Sequence, residues 1–221
     1  MGVTTAMAPL TEIELRPYGQ TDLRGSVAVP GLRYPAGAVV VIAGIPGAGK
    51  STMMHALFGT TGAEPGPAIT TGGVRVVDSE QARNWWRQLL GTRLPYWLYR
   101  PLVHLTALLW ARSALRGDGT VVVHDCGTRR WWRALIARWS YRRPAGVHYV
   151  LLDVPVDVAL DGQQARNRRV RRRAFGRHLR AWREMVPASG ELTDPDLAHA
   201  TSCLVLDRAA ASAIDRITFT A

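Results

Sequence analysis

Residues Gly44 to Ser51 read Gly-Ile-Pro-Gly-Ala-Gly-Lys-Ser, a glycine-rich loop that ends in an ammonium and a hydroxyl. That spacing suits a polyphosphate. Gly44, Gly47 and Gly49 let backbone N–H groups turn inward around an anion, and a helix starting at the lysine adds its positive end. Lys50 is spaced to reach the β- and γ-phosphates, and Ser51 to bind Mg²⁺ through its hydroxyl. Ala48 and Thr52 complete the expected nucleotide contacts. Among 28 basic residues Lys50 is the only lysine. A planar guanidinium does not replace a compact ammonium between phosphates. A glycine turn that merely caps a helix explains the glycines but not the lysine.

Two carboxylates follow short apolar runs. Asp78 ends Val74–Val77, where a strand terminus opens into a ligand crevice, so it suits a base that takes a proton from an acceptor hydroxyl. The plainer reading is a cap on the following helix. Asp125 follows three valines and suits a direct or water-mediated hold on Mg²⁺. His124 beside it reads as structural rather than as a ligand. Trp85, Trp86, Trp131 and Trp132 come six to eight residues after these aspartates, and one or two of them are expected to line an acceptor pocket.

The formal net charge of +11 is concentrated. Residues 166–183 hold nine arginines and no acid, and without those nine the balance is +2. Three readings compete for this tract: a solvated helix face, an RNA-binding helix, and a lid whose arginines stabilise a transferring phosphoryl group. Like charges without acids repel unless an anion lies near, and Arg166, Arg169 and Arg173 share one helical face. The lid is favoured, with nucleic acid kept as a second partner class.

These residues need elements to hold them. Val39–Ile42, Val74–Val77, Val121–Val123, Val147–Leu152 and Cys203–Leu206 read as five buried strands alternating with helices, which implies a mainly parallel α/β sheet covered on both faces. Thr11–Arg16 and Ser26–Val29, with a turn at Tyr18–Asp22, are expected to form a small β-hairpin within an N-terminal extension spanning 1–37. Residues 38–221 form the main domain. Phe175, Leu179, Trp182 and Val186 make one apolar stripe on a helix continuing the arginine tract.

At 221 residues, 47% hydrophobic and 20% charged, the chain has the composition of a globular domain. Cys126 and Cys203 make no metal spacing or disulfide framework, so a reducing, cytoplasmic setting is expected. The longest apolar stretch, around Leu102 to Ala111, is too short to span a bilayer, and no membrane partner is expected.

The order of loop, two strand-end aspartates, arginine-dense stretch and closing strand resembles the small P-loop kinases and AAA-like NTPases. Within them it is similar to the polynucleotide 5′-kinase, chloramphenicol phosphotransferase and zeta-toxin group. Leu151-Leu152-Asp153-Val154-Pro155 followed by Gln164-Ala165-Arg166-Asn167-Arg168 resembles that group's approach to its lid. The resemblance implies a P-loop NTPase three-layer fold with a five-stranded, nucleoside-monophosphate-kinase-like sheet and a lid at about 160–186. It also implies Mg²⁺-ATP as phosphoryl donor, a hydroxyl acceptor, and Lys50, Asp78, Arg166 and Arg169 as the catalytic set, with Arg173 on the nucleotide. The surplus of arginines departs from that pattern. A P-loop ATPase or regulator without an acceptor, or a polynucleotide 5′-hydroxyl kinase, remains the alternative. An ABC-type ATPase is not expected, because no Leu-Ser-Gly-Gly-Gln signature is present.

Overall fold

A computed structural model describes residues 14–25, 29–91, 94–165, 170–189, 191–192 and 194–220. In chain order the strands are β1 (Glu14–Leu15), β2 (Gly19–Asp22), β3 (Gly31–Pro35), β4 (Val39–Gly44), β5 (Ala68–Ile69), β6 (Arg75–Val77), β7 (Val121–His124), β8 (Val147–Leu152), β9 (Ser202–Leu206) and β10 (Arg216–Thr220). The helices are α1 (Lys50–Phe58), α2 (Ser79–Leu90), α3 (Tyr96–Arg116), α4 (Arg130–Ser140), α5 (Val156–Ala165), α6 (Arg172–Met185) and α7 (Arg208–Ala213).

The valine run before the glycine loop sits at the centre. Every residue of β4 is buried, and β4 pairs in parallel with β7 on one side and β8 on the other. β-branched residues on both faces are what a strand covered from above and below requires. The five expected strands form the contiguous parallel middle of the sheet, β9-β8-β4-β7-β6. The sheet is wider than expected, however, with seven strands in the order β2-β9-β8-β4-β7-β6-β5. The added edge strand β5 runs antiparallel to β6, and β2 runs parallel to β9.

The expected hairpin is not what Glu14 and Leu15 form. β1 pairs in parallel with β3, and β3 pairs in parallel with β10, giving a separate three-stranded sheet. Residues 11–13 and 26–28 of the expected hairpin lie outside the described residues. Gly19–Asp22, whose residues read as a turn, is instead β2. Its backbone groups find partners on β9, and Gln20 exchanges hydrogen bonds with the Leu192 backbone at 2.8 and 3.0 Å. Glu14 ties the small sheet together by pairing with both Arg33 and Arg216. At Gly19–Asp22 a partner strand from far along the chain outweighs local turn preference.

Helix α5 packs directly on the glycine loop. Gly47 has φ 95°, and a methyl there would sit 1.9 Å from the Ala159 carbonyl oxygen. A methyl on Gly162 would sit 2.4 Å from the Gly47 oxygen. Backbone therefore meets backbone, which only glycine permits. Gly176, by contrast, sits within α6 with open space around its Cα. Gly162→Ala is expected to cost about 1–3 kcal/mol through overpacking. Gly176→Ala is expected to add about 0.5–1 kcal/mol by reducing backbone entropy in the unfolded chain. Thermal unfolding of the two variants beside wild type checks both signs.

Candidate active site

β4 ends at Gly44, and the loop turns through Gly47 (φ 95°) and Gly49 (φ 100°), both left-handed, into α1. Helix α1 starts without a side-chain cap and without an acid in its first turn. Its first N–H groups and positive end thus favour an anion. Lys50 is only 7% exposed, and its ammonium donates to the Gly44 carbonyl at 2.7 Å and the Ile45 carbonyl at 3.1 Å. Gly47, Gly49, Lys50 and Ser51 line a cavity of about 740 Å³. Gly44 and Ala48 of the loop are buried, Thr52 is exposed on α1, and none of the three is part of the wall.

Asp78, His124 and Asp125 reach the same cavity from the ends of β6 and β7. Asp78 does two things at once. It caps α2, with Oδ1 accepting from the Glu80 amide at 2.9 Å, while Gln81 Oε1 accepts from the Asp78 amide in return. Its Oδ2 meets His124 Nδ1 at 2.9 Å, which assigns the proton to Nδ1. Burial is the largest influence on the Asp78 carboxyl and pushes it up. The His124 ring, the Glu80 amide and the Lys50 ammonium outweigh it and hold the group below its ordinary value of 3.8. His124 Nε2 is buried with no hydrogen-bond partner among the described residues.

Asp125 Oδ2 accepts from the Gly127 amide at 2.9 Å, and its half-buried carboxylate stands in the cavity wall with Ser51. Among the described residues no group of three or more His, Cys, Asp or Glu side chains forms a ready-made metal cage. The pair of hard oxygens, Ser51 Oγ and the Asp125 carboxylate, fits Mg²⁺, which takes one or two protein oxygens and completes its shell with water and phosphate.

Beyond the loop the cavity runs to an apolar wall of Val103, Ala107 and Ala111 on α3 and Trp131 and Trp132 on α4. Trp85 and Trp86 go elsewhere. Trp86 Nε1 donates to Thr106 Oγ1 at 3.0 Å in a second, smaller core, and Trp85 sits edge-on to Trp86. Three wall residues carried no clear signal in the sequence. Arg83 lies 4.9 Å above the Tyr96 ring, Arg129 lies 6.0 Å from the Trp131 ring, and His178 Nδ1 is 2.7 Å from Thr128 Oγ1. Only the helical spacing of His178 beside the Phe175–Leu179 stripe hints that it faces inward.

Arg166 and Arg169 lie outside the described residues. Arg173 is exposed in the first turn of α6 and is not part of the cavity wall. The arginine region is flanked by two helices rather than one continuous helix, with Val170 and Arg171 non-helical ahead of α6. Gln163 ties this region to the loop: its Nε2 donates to the Pro46 carbonyl and its Oε1 accepts from the Val170 amide, both at 3.0 Å. The apolar stripe is present as expected, with Phe175, Trp182 and Val186 buried and Leu179 half-buried.

Glycine loop after a central strand, lysine at the helix start and carboxylates at the neighbouring strand ends define a P-loop NTPase of the small, kinase-like kind. The chain belongs to the AAA_33 family, an AAA domain whose model matches residues 39–188. No curated protein matches it in sequence. Among solved structures, one from the PezAT chromosomal toxin-antitoxin system of Streptococcus pneumoniae is similar with a TM-score of 0.51 and 10% identity, covering 85% of this chain and 72% of that one. A gluconokinase from Sinorhizobium meliloti 1021 is similar with a TM-score of 0.45 and 17% identity over 82% and 89% of the two chains. A sugar kinase from Janibacter sp. HTCC2649 is similar with a TM-score of 0.37 and 21% identity over 78% and 86%.

The Asp78 geometry sets a pH dependence. Its folded carboxyl lies below 3.8, so the stability it contributes is present above that value and is lost as pH falls through the folded pKa. Asp78→Asn is therefore expected to be less stable than wild type at pH 7, with the gap closing on acidification below 3.8. Denaturant midpoints at pH 7, 5 and 3 check this. A gap that stays constant would mean that the charge of Asp78 contributes nothing to stability.

Proposed function

We propose that the protein is an ATP-dependent phosphotransferase that moves the γ-phosphoryl group to a hydroxyl acceptor. One observation carries this reading: a single cavity holds the phosphate loop at one end, Asp78 and Asp125 over its floor, and an apolar wall beyond them. A nucleotide's phosphates fill only the loop end, and the remaining space suits a second substrate. A P-loop ATPase or nucleotide-dependent regulator needs no such extension.

In this reading Lys50 leaves the Gly44 and Ile45 carbonyls to meet the β- and γ-phosphates. Ser51 and Asp125 hold Mg²⁺, which when bound neutralises charge on the phosphates. The Asp78–His124 pair orients the acceptor hydroxyl and receives its proton. A low carboxyl pKa makes Asp78 a weak base, but phosphoryl transfer asks mainly for position. Arg166 and Arg169 serve as the lid, supported by the tie of Gln163 to both the loop and Val170. Arg173, exposed in the first turn of α6, carries the tract's charge onto that helix. Its charge also suits a nucleic-acid acceptor, so a polynucleotide 5′-hydroxyl stays among the acceptors to be screened. Cys126 and Cys203 are unpaired, in keeping with a reducing, cytoplasmic setting.

Calorimetric titration with Mg²⁺-ATP, followed by labelled-phosphate transfer across acceptor classes, tests the proposal. Lys50→Ala is expected to abolish ATP binding, and Lys50→Arg nearly so. Asp78→Asn is expected to keep ATP affinity and lose about 10²–10⁴-fold in transfer. ATP binding with hydrolysis but no transfer to any acceptor would leave an ATPase.

The lid makes its own prediction. Arg166→Ala and Arg169→Ala are expected to cut turnover strongly, while Arg180→Ala, exposed on α6, has little effect. A polynucleotide-binding tract would behave otherwise. Each lost phosphate contact would lower the salt slope of RNA affinity by about 0.7–0.9, with no single arginine dominant. Turnover and single-stranded RNA binding across salt concentrations, measured for Arg166→Ala and Arg180→Ala, separate the two.

A further inference from the structure

Helices α2 and α3 pack on each other around a small core of their own, built on Ala82, Tyr99 and Val103. Much of the apolar surface of α3 is left outside it. Leu98, Leu102, Leu105 and Leu109 are 53%, 43%, 52% and 51% exposed. Their 4-3-4 spacing sets them in one line along the helix, on the side away from the buried Val103 and Ala114. Trp97, 73% exposed, stands at the N-terminal end of the same helix. The line continues at the same spacing into Arg112 and Arg116, both exposed. Monomeric proteins rarely leave a contiguous apolar row of this kind without a partner for it.

Charge says what kind of partner. Helix α3 has no aspartate or glutamate, and Arg112 and Arg116 extend the leucine line on its outer face. The partner must offer an apolar layer and negative charge side by side. We propose that the outer face of α3 seats the protein on a phospholipid bilayer bearing anionic headgroups, with the leucine row at the acyl boundary and the arginines against the phosphates. A second copy of the chain brings matching leucines but meets these arginines with arginines and no acid. A nucleic acid brings phosphates but no apolar layer.

The helix lies on the bilayer and does not cross it. Among the described residues no helix is long and apolar enough to cross a membrane, and the inner face of α3 is committed to Val103, Ala111 and Leu115 within the fold. The length of the Leu102–Ala111 run pointed away from a spanning segment. It carried no information on a surface-lying face, which depends on which side of the helix the fold leaves open.

The test is flotation of the full chain with vesicles of phosphatidylcholine alone and of phosphatidylcholine with about one third phosphatidylglycerol. Wild type is expected to float with the anionic vesicles and at least tenfold more weakly with the neutral ones. Leu102→Gln/Leu105→Gln leaves every charge in place and is expected to lose about tenfold or more in affinity for the anionic vesicles. Arg112→Ala/Arg116→Ala is expected to lose about fivefold per arginine at low salt. ATP titration and melting temperature are expected to be unchanged in both variants, so a failure of the phosphotransferase reading is seen separately.

Anionic-vesicle binding that survives the leucine variant would be attraction to the arginine tract alone and overturns the proposal. Equal binding to neutral vesicles overturns it too. A wild-type dimer in sedimentation equilibrium that the leucine variant dissolves, without vesicle binding, would instead make the face an interface between copies.

Discussion

Parallel register places the chemistry. β4 is fixed by pairing on both sides, with Val41 opposite Val123 of β7, and Val123 in turn opposite Val77 of β6. The next residue along each strand is Ile42, His124 and Asp78. Lateral alignment of a parallel sheet therefore puts His124 beside Asp78 without any specific recognition between them, and their contact at 2.9 Å follows. One residue further, Asp125 donates its amide to the Ile42 carbonyl and turns its carboxylate over the mouth of the glycine loop. Three strand ends and one loop thus converge on a single edge because the strands between them cannot slip. A one-residue slip would turn every valine of a strand to the opposite face.

What that convergence costs is visible at Asp78. A carboxylate withdrawn from water is expensive unless it is paired, and removing one partner from such a pair costs more than the pair contributes. Here the charge is shared between an amide, a ring N–H and the nearby Lys50 ammonium. Helix capping and active-site placement are consequently one arrangement rather than rival roles. The amide that Asp78 caps is the reason its carboxylate holds a fixed direction, and α2 begins where it does because Asp78 ends β6.

The sequence showed this centre clearly because strands buried on both faces write themselves as unbroken β-branched runs, and a loop lysine among arginines stands out. It showed the edges poorly. β2 is Gly-Gln-Thr-Asp and β3 contains both glycine and proline, so neither looks like a strand until β9 and β10 supply partners from far along the chain. The face of α3 was equally hidden. Its 21 residues, Tyr-Trp-Leu-Tyr-Arg-Pro-Leu-Val-His-Leu through Arg116, are apolar nearly all round, so periodicity alone assigns no inside or outside. Arg83 and Arg129 went unnoticed for the same reason: in a chain with this much arginine, no single one is distinctive until its neighbours are placed.

The two helices that flank the arginine region are each held in place. Helix α6 is not a loose flap. Phe175, Trp182, Met185 and Val186 are buried, and the Trp182 indole donates to Asp153 Oδ1 at 2.8 Å. The other oxygen of that carboxylate accepts from Arg24 at 2.7 Å, so the end of β8 joins α6 to the N-terminal segment. Swinging α6 as a body would expose that apolar face and break the bond to a half-buried carboxylate, at a cost of several kcal/mol. On the other side, α5 cannot shift without separating the Gly47 and Gly162 backbones that lie in direct contact. Both flanking helices are therefore anchored, one to the core and one to the phosphate loop. The Gln163–Val170 hydrogen bond and the Gln163–Pro46 hydrogen bond join these two anchors, so the lead-in to α6, the end of α5 and the phosphate loop form one connected unit.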